Sequence, residues 1–206
     1  MEQVFVHPSA LVESDRIGPG TRVWAFAHVM AGASVGADCN IGDHTFVEAG
    51  AVVGDCVTIK NGNMIWEGVT LEDGVFVGPL ACFTNDRYPR SPRLEAARER
   101  YRDRGWLAPT LVRAGASIGG GAVILAGLTI GPYAMVAAGA VVAHDVPAHA
   151  LVMGAPARVA GWVCRCGQRL RVDGVAARCP ACDAVYAWSG GAIVAPDDDA
   201  AAARPL

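Results

Sequence analysis

The sequence predicts an all-β solenoid: a parallel β-helix of triangular section, interrupted by one inserted loop and followed by a small cysteine-rich appendage. Three observations predict it. Every sixth residue from Ile17 to Val77 is aliphatic: Ile17, Val23, Val29, Val35, Ile41, Val47, Val53, Ile59, Ile65, Leu71 and Val77. Ile, Val and Leu make up only 45 of 206 residues, so the run reports a structural repeat and not bulk composition. The beat breaks between Phe83 and Val112, an interval of 29 residues that is not a multiple of six. Past Trp162 it stops, and Cys164, Cys166, Cys179 and Cys182 follow.

Six residues make one short strand and one turn. Three such units return the chain to its start one strand spacing higher, about 4.8 Å. Neither the 3.6-residue period of a helix nor the two-residue period of a simple strand yields a clean six. The aliphatic residues therefore point into the prism, and small or left-handed-tolerant residues fit the corners. Phe5, Leu11 and Phe83 are read as extending the first block; Val112, Ile118, Ile124, Ile130, Val136 and Val142 continue it. An 18-residue coil stacks residue i beside i+18. This sets Glu67 beside Asn85, Glu48 beside Trp66, His28 beside Phe46 and His44 toward Gly62, with Lys60 between Gly42 and Gly78. The expected organisation is a β-helix over 1–161 with an insertion loop at 84–111, a four-cysteine module over 162–190 and a disordered tail over 191–206.

The net charge of −3 provides no bulk electrostatic support for nucleic-acid binding. No stretch of about 18 apolar residues is present, so no membrane span is expected. The start, MEQVFVHPSA, lacks a basic segment followed by an apolar one. A cytoplasmic protein with reduced thiols is the expectation.

The insertion, TNDRYPRSPRLEAARERYRDRGWLAPT, carries seven Arg against four acids. Leu94, Ala97 and Tyr101 have the spacing of a short amphipathic helix. Insertions in solenoids usually lie on one face, often the binding face, and a long loop in a compact domain is more often functional than idle. A solvated arm used in subunit packing is the other reading.

Here the chain resembles a family more closely than fold alone requires. The segments HPSALV (7–12), GTRVWAFAHV (20–29), EGVTLEDGVFVGP (67–79), FTNDRYPRS (83–91) and MGAPARVAGWVCRCG (153–167) are similar to those of the nucleotide-sugar 3-amino N-acetyltransferases. These enzymes acetylate UDP- or dTDP-linked amino sugars for surface polysaccharides. The resemblance implies a left-handed β-helix, acetyl-CoA as acyl donor, and a homotrimer with active sites between neighbouring prisms.

N-acetylation needs few protein groups, because a neutral amine and a thioester already react when held within about 3–3.5 Å. What remains is to stabilise the oxyanion and remove a proton. The resemblance puts Asn85 first, as a side chain that orients the amine, with Asp86 or Glu67 receiving the proton. Alternatively, Asn85 and Asp86 merely cap the turn that starts the loop. Trp24, Trp66 and Tyr88 are candidates to stack on a base or sugar, or else to pack between subunits. Arg22, Lys60, Arg87 and Arg90 are candidates for the diphosphate, since guanidinium suits phosphate oxygens. His28 lies in a matching motif and reads as a substrate contact or an interface residue. His44 is a second such candidate, whereas His144 and His149 read as surface or cap residues. The small residues Ala126, Gly127, Ala137, Ala138 and Gly139 leave room for a pantetheine arm or simply fit corners. Pro156 and Arg158 match the family segment near the CoA adenosine phosphate.

The arrangement C-x-C-G, eleven residues, C-P-x-C resembles a zinc ribbon, in which four thiolates close a tetrahedral structural site. Cys164, Cys166, Cys179 and Cys182 are the expected ligands, and the metal would supply folding energy to a segment too short for its own core. Other readings of the prism are an acyltransferase acting on another small acceptor and a non-catalytic scaffold. A γ-type carbonic anhydrase would need His in neighbouring slots, which His28 and His44 lack.

Overall fold

The computed structural model describes residues 3–194. Strands of mostly two residues recur every six positions and stack into three flat faces. The first face runs from Phe5–Val6 through Arg22–Val23, Asn40–Ile41, Thr58–Ile59, Phe76–Val77, Ser117–Ile118 and Met135–Val136 to Ala150–Gly154. The strand Ala157–Trp162 closes that face by turning back antiparallel on Ala150–Gly154. The second face runs from Leu11–Val12 to Val141–Val142, and the third from Ser34–Val35 to Thr129–Ile130. Apart from that closing hairpin, the pairings within all three faces are parallel, and Arg22↔Asn40↔Thr58↔Phe76 shows the 18-residue pitch.

Two ladders, not one, point inward. The aliphatic beat is buried as expected: Val23, Ile41, Ile59, Ile65, Leu71, Ile118, Ile124 and Ile130 have no exposed surface. A second beat lies two residues earlier, at Thr21, Ala27, Ala33, Cys39, Thr45, Ala51, Val57, Asn63, Val69, Val75 and Ala81, and it is buried throughout. Each of its members directly follows a left-handed corner residue, such as Phe26, Asp38 or His44. Its polar members find backbone partners: Thr21 Oγ1 donates to Gly36 O at 2.7 Å and accepts from Cys39 N at 2.9 Å.

The first coil departs from the expected register. Val6 pairs with Val23 and Val12 with Val29, so Val6 and Val12, not Phe5 and Leu11, continue the aliphatic ladder. Only five residues separate Val12 from Ile17, and the coil is one residue short. Phe5 and Leu11 are 43% and 54% exposed, and Val6, at the open end of the ladder, is 41% exposed as well.

The chain leaves the second face after Cys82–Phe83 and rejoins the third at Thr110–Val112, which pairs with Val69–Leu71. The excursion is pinched at its base by Ala108 N donating to Asn85 O at 2.9 Å and by an Asp86↔Leu107 bridge. It holds the expected short helix, Glu95–Arg98, followed by a 3-10 turn, Glu99–Tyr101.

The appendage is a four-stranded antiparallel sheet of Arg171–Val172, Ala176–Arg178, Val185–Ser189 and Ala192–Val194. The last strand corrects the expectation of disorder from 191, since residues 192–194 pair with 187–189. The rest of that expected tail, 195–206, lies outside the described residues. Trp162, Leu170, Ala177, Tyr186 and Ile193 belong to the same apolar cluster as the prism, so the module docks on the prism.

Removing a fully buried ladder residue leaves a cavity the parallel sheets cannot collapse into. Ile59→Ala is expected to cost about 2–5 kcal/mol, and Val175→Ala, 81% exposed, less than about 0.5 kcal/mol. Denaturant unfolding of both variants measures the contrast; equal losses would contradict the ladder.

Candidate functional site

The eighteen-residue pitch brings Glu67 and Asn85 together on the edge between the second and third faces, where the loop begins. Asn85 Nδ2 donates to Glu67 O at 3.3 Å. That bond fixes the amide's orientation, and Asn85 Oδ1 accepts no hydrogen bond among the described residues. One coil below, Glu48 Oε2 accepts from Glu67 N at 2.8 Å. The Glu67 carboxylate is paired with Arg104 of the loop. On the adjoining second face His28, Phe46 and Trp66 form an aromatic column, with ring centroids 5.3 and 5.7 Å apart. His28 Nε2 also meets Glu13 Oε2 at 2.9 Å, and this partner holds the Glu13 carboxyl below its usual range.

Asp86 has a different setting from the proton acceptor expected. Its carboxylate takes a bidentate ion pair from Arg100, a hydrogen bond from Tyr101 Oη at 2.7 Å and one from Tyr88 N at 2.8 Å. These donors, Arg100 foremost, push its acidity well beyond the usual carboxylate range. A carboxylate so committed ties the helical turn of the loop to its base. Arg100 extends the knot by donating to Tyr88 O, and Arg90 N donates to Tyr101 Oη at 3.0 Å.

Above Asn85 a cavity of about 480 Å³ opens between the loop base and the later coils. Its walls include Thr84, Arg87, Tyr88, Gly127 and His144. Arg87 Nη2 donates to Gly127 O at 3.0 Å and Nε to Ala126 O at 3.3 Å. A Cβ at 127 would meet that guanidinium, and the left-handed backbone there, φ +78°, favours glycine. The structure thus joins two groups the sequence kept apart: the phosphate candidate Arg87 and the pantetheine candidates Ala126 and Gly127. Tyr88 is 75% exposed at the rim. His144, read from sequence as a surface or cap residue, lines this cavity; the signal was its place one coil above Ala126 in the corner ladder. A second cavity, of about 210 Å³, contains His144 together with Ala157, Arg158 and Val159.

Other candidates sit elsewhere in the single chain. Arg22 and Trp24 line a cavity of about 250 Å³ with Gln3, Phe5 and Gly20, on the edge between the first and second faces. Trp24 Nε1 donates to Asn40 Oδ1 at 2.8 Å. Lys60, Ala137, Ala138 and Gly139 occupy the same edge, which follows strands of the first face. His44 is there too, with a left-handed backbone and its ring 4.9 Å from Phe26, so it does not join Asn85 in one chain. His149 corrects the surface reading. It is fully buried, its Nδ1 meets Val163 O at 2.9 Å, and its ring lies between Tyr133 and Tyr186.

The four cysteines of the appendage converge, with all sulfurs within 4.8 Å of one another. Cys164 and Cys182 are 3.5 Å apart, as are Cys166 and Cys179. A tetrahedral ion with metal–sulfur bonds of about 2.3 Å fits a cage of that size. Among the described residues this is the one cluster of His, Cys, Asp or Glu placed to share a metal. By contrast, burial pushes the Cys39 thiol up to about 11, as befits a packing residue.

A family of bacterial transferases with the hexapeptide motif in six repeats matches residues 16–49 and 38–73. The chain is 45% identical over 192 residues to a dTDP-3-amino-3,6-dideoxy-α-D-galactopyranose 3-N-acetyltransferase of Aneurinibacillus thermoaerophilus, covering 93% of this chain and 95% of that protein. A 2,3,4,5-tetrahydropyridine-2,6-dicarboxylate N-acetyltransferase of Enterococcus faecalis is 50% identical over 52 residues, 25% of this chain and 22% of the relative. Among solved structures, a perosamine N-acetyltransferase from Caulobacter crescentus in complex with CoA and GDP-perosamine aligns at 28% identity, with TM-score 0.37, over 78% of this chain and 57% of that one.

The Asp86 knot makes the loop's order dependent on charge. A carboxylate with a depressed folded-state pKa contributes stability that is complete above its unfolded value, about 4, and is lost as pH falls through the lower folded value. At neutral pH, Arg100→Gln is therefore expected to leave the prism folded but speed tryptic cleavage between Arg87 and Arg104 about tenfold. Timed digestion and mass spectrometry read this; unchanged cleavage would show that the knot does not hold the loop.

Proposed function

This chain belongs to the nucleotide-sugar 3-amino N-acetyltransferases of the hexapeptide-repeat transferases, and we propose that it transfers acetyl from acetyl-CoA to the 3-amino group of a dTDP- or UDP-linked deoxy amino sugar. The observation that carries the reading is Asn85 beside Glu67 at the mouth of the loop, within a chain alike to such an enzyme over nearly its whole length. The relative's dTDP-3-amino-3,6-dideoxyhexose is the first substrate to try.

In this mechanism Asn85 Oδ1 accepts from the sugar amine and aims its lone pair at the thioester carbon. Nitrogen bonds to that carbon, the carbonyl oxygen takes the charge, and collapse expels the CoA thiolate. The proton leaving nitrogen passes to Glu67 through water, while the thiolate is protonated from solvent. Asp86, bound by four donors, holds the loop that positions Asn85 and does not take the proton. Arg87, Tyr88 and Arg90 face the nucleotide diphosphate, while Ala126 and Gly127 admit the pantetheine arm and Arg158 meets the adenosine phosphate.

Candidate groups lie on two edges of one prism, with the second face between them. A homotrimer solves this by setting one edge of a prism against another edge of its neighbour. Arg22, Trp24 and Lys60 then reach a site that the adjacent copy completes with its loop, its Asn85 and its column of His28, Phe46 and Trp66. We take the appendage to hold zinc through Cys164, Cys166, Cys179 and Cys182. A cytoplasmic enzyme supplying acetylated sugars for surface polysaccharide, O-antigen included, fits these donors and acceptors. No helix among the described residues is long and apolar enough to cross a membrane.

Free-thiol release from acetyl-CoA is expected with a dTDP-3-amino-3,6-dideoxyhexose and not with its 3-hydroxy counterpart. Asn85→Ala should lower kcat/KM about 100-fold, the cost of losing reactant alignment. Full retention would remove Asn85 from the mechanism. Light scattering should give three times the chain mass of 21.3 kDa; a monomer retaining full turnover would defeat the shared-site reading.

A further inference from the structure

The strand Ala157–Trp162 is the outermost of the first face, and among the described residues its one strand partner in the prism is Ala150–Gly154. Its beginning, Ala157 to Val159, walls the 210 Å³ cavity that also contains His144 and Asp145. Its end runs into the four-cysteine module, two residues before Cys164. An edge strand paired on one side only is free to shift unless something holds its other flank.

The module supplies that hold. The Arg169 guanidinium donates to Ala160 O, and Leu170 N donates to Trp162 O at 2.8 Å. Val163 bridges Arg169, and Val163 N donates to His149 O at 2.8 Å. A Cβ at Gly161 would stand 2.8 Å from Arg169 Nη2, so glycine lets the guanidinium lie flat on the strand. Arg169 and Leu170 in turn come directly after the knuckle of Cys164 and Cys166, whose sulfurs lie 3.5 Å from Cys182 and Cys179. Tyr186 Oη bonds both Cys164 Sγ and Arg165 N at 3.1 Å, and its ring lies 4.9 Å from that of the buried His149.

We propose that zinc in the four-thiolate centre is a positioning ion for the acyl-donor side of the site: by fixing the 164–170 knuckle it fixes, through Arg169 and Leu170, the strand that presents Arg158 to the phosphates of CoA. This rests on the proposed zinc site and on the proposed role of Arg158. It assigns the module a task distinct from capping the prism, because the strand it grips lines the cavity of Arg158 and not the larger cavity of Arg87 and Tyr88.

The test uses the full-length protein. Zinc per chain is measured by plasma mass spectrometry, and KM is measured separately for acetyl-CoA and for the amino-sugar nucleotide. The parent should carry about one zinc per chain. Cys182→Ser should lose it and raise KM for acetyl-CoA about tenfold, as expected for one displaced phosphate contact, with KM for the sugar nucleotide nearly unchanged. Arg169→Ala should retain zinc yet raise the donor KM in the same direction. It also decides the matter if Cys182→Ser fails to fold. A parent without zinc would overturn the metal reading. Zinc loss with an unaltered donor KM would overturn the coupling and leave the metal reading standing. An equal rise in both KM values, or an Arg169→Ala enzyme with parental kinetics, would also overturn the coupling.

Discussion

Eighteen residues per turn is the constraint on which the molecule depends. Each strand is only two residues long in most coils, too short to persist alone, and it survives because the coils above and below satisfy its backbone. Parallel pairing at a fixed pitch then dictates the interior. One ladder must be aliphatic and another small, or the three faces cannot close. Because each coil repeats the last, side chains eighteen apart are neighbours whatever their chemistry. Glu67 and Asn85 meet for that reason, as do His28 and Phe46.

The solenoid is rigid and regular, and this limits what it can do alone. A periodic surface offers shallow grooves along its edges and few enclosed spaces. The loop after Phe83 breaks that regularity. It is anchored to the prism at Asn85–Ala108 and internally by a carboxylate that gathers Arg100, Tyr101 and Tyr88. A partly exposed ion pair adds little net stability, but a bidentate one selects a single arrangement by its geometry. Here the specified arrangement holds Arg87 over the small residues of the next coils and encloses a cavity there.

At the far end, the same problem of an exposed sheet edge is met by a different device. The last strand of the first face turns back, and the cysteine module packs against the end of the prism through Trp162, Leu170 and Tyr186. His149 is drawn inward by this contact. A histidine that pattern reading left as a surface or cap residue is buried between two tyrosines where the appendage docks on it. Such docking leaves no trace in the hexad, since it depends on a segment outside the repeat.

The prism, the stacking of residues eighteen apart, the site of the loop with its short helix, and the four candidate ligands of the appendage are all legible in the order of residues alone. Each of these comes from spacing along the chain, and a periodic fold converts spacing into position directly. The one-residue deficit that sets Val6 and Val12 in the ladder emerges only from the three-dimensional pairing. The folded chain alone shows Asp86 spent on Arg100, His144 turned into a cavity and His149 buried. These depend on contacts between segments with no common period: the shortened first coil, the aperiodic loop and the docked module. Where the beat holds, sequence distance is spatial distance; where it breaks, packing and charge choose the partner.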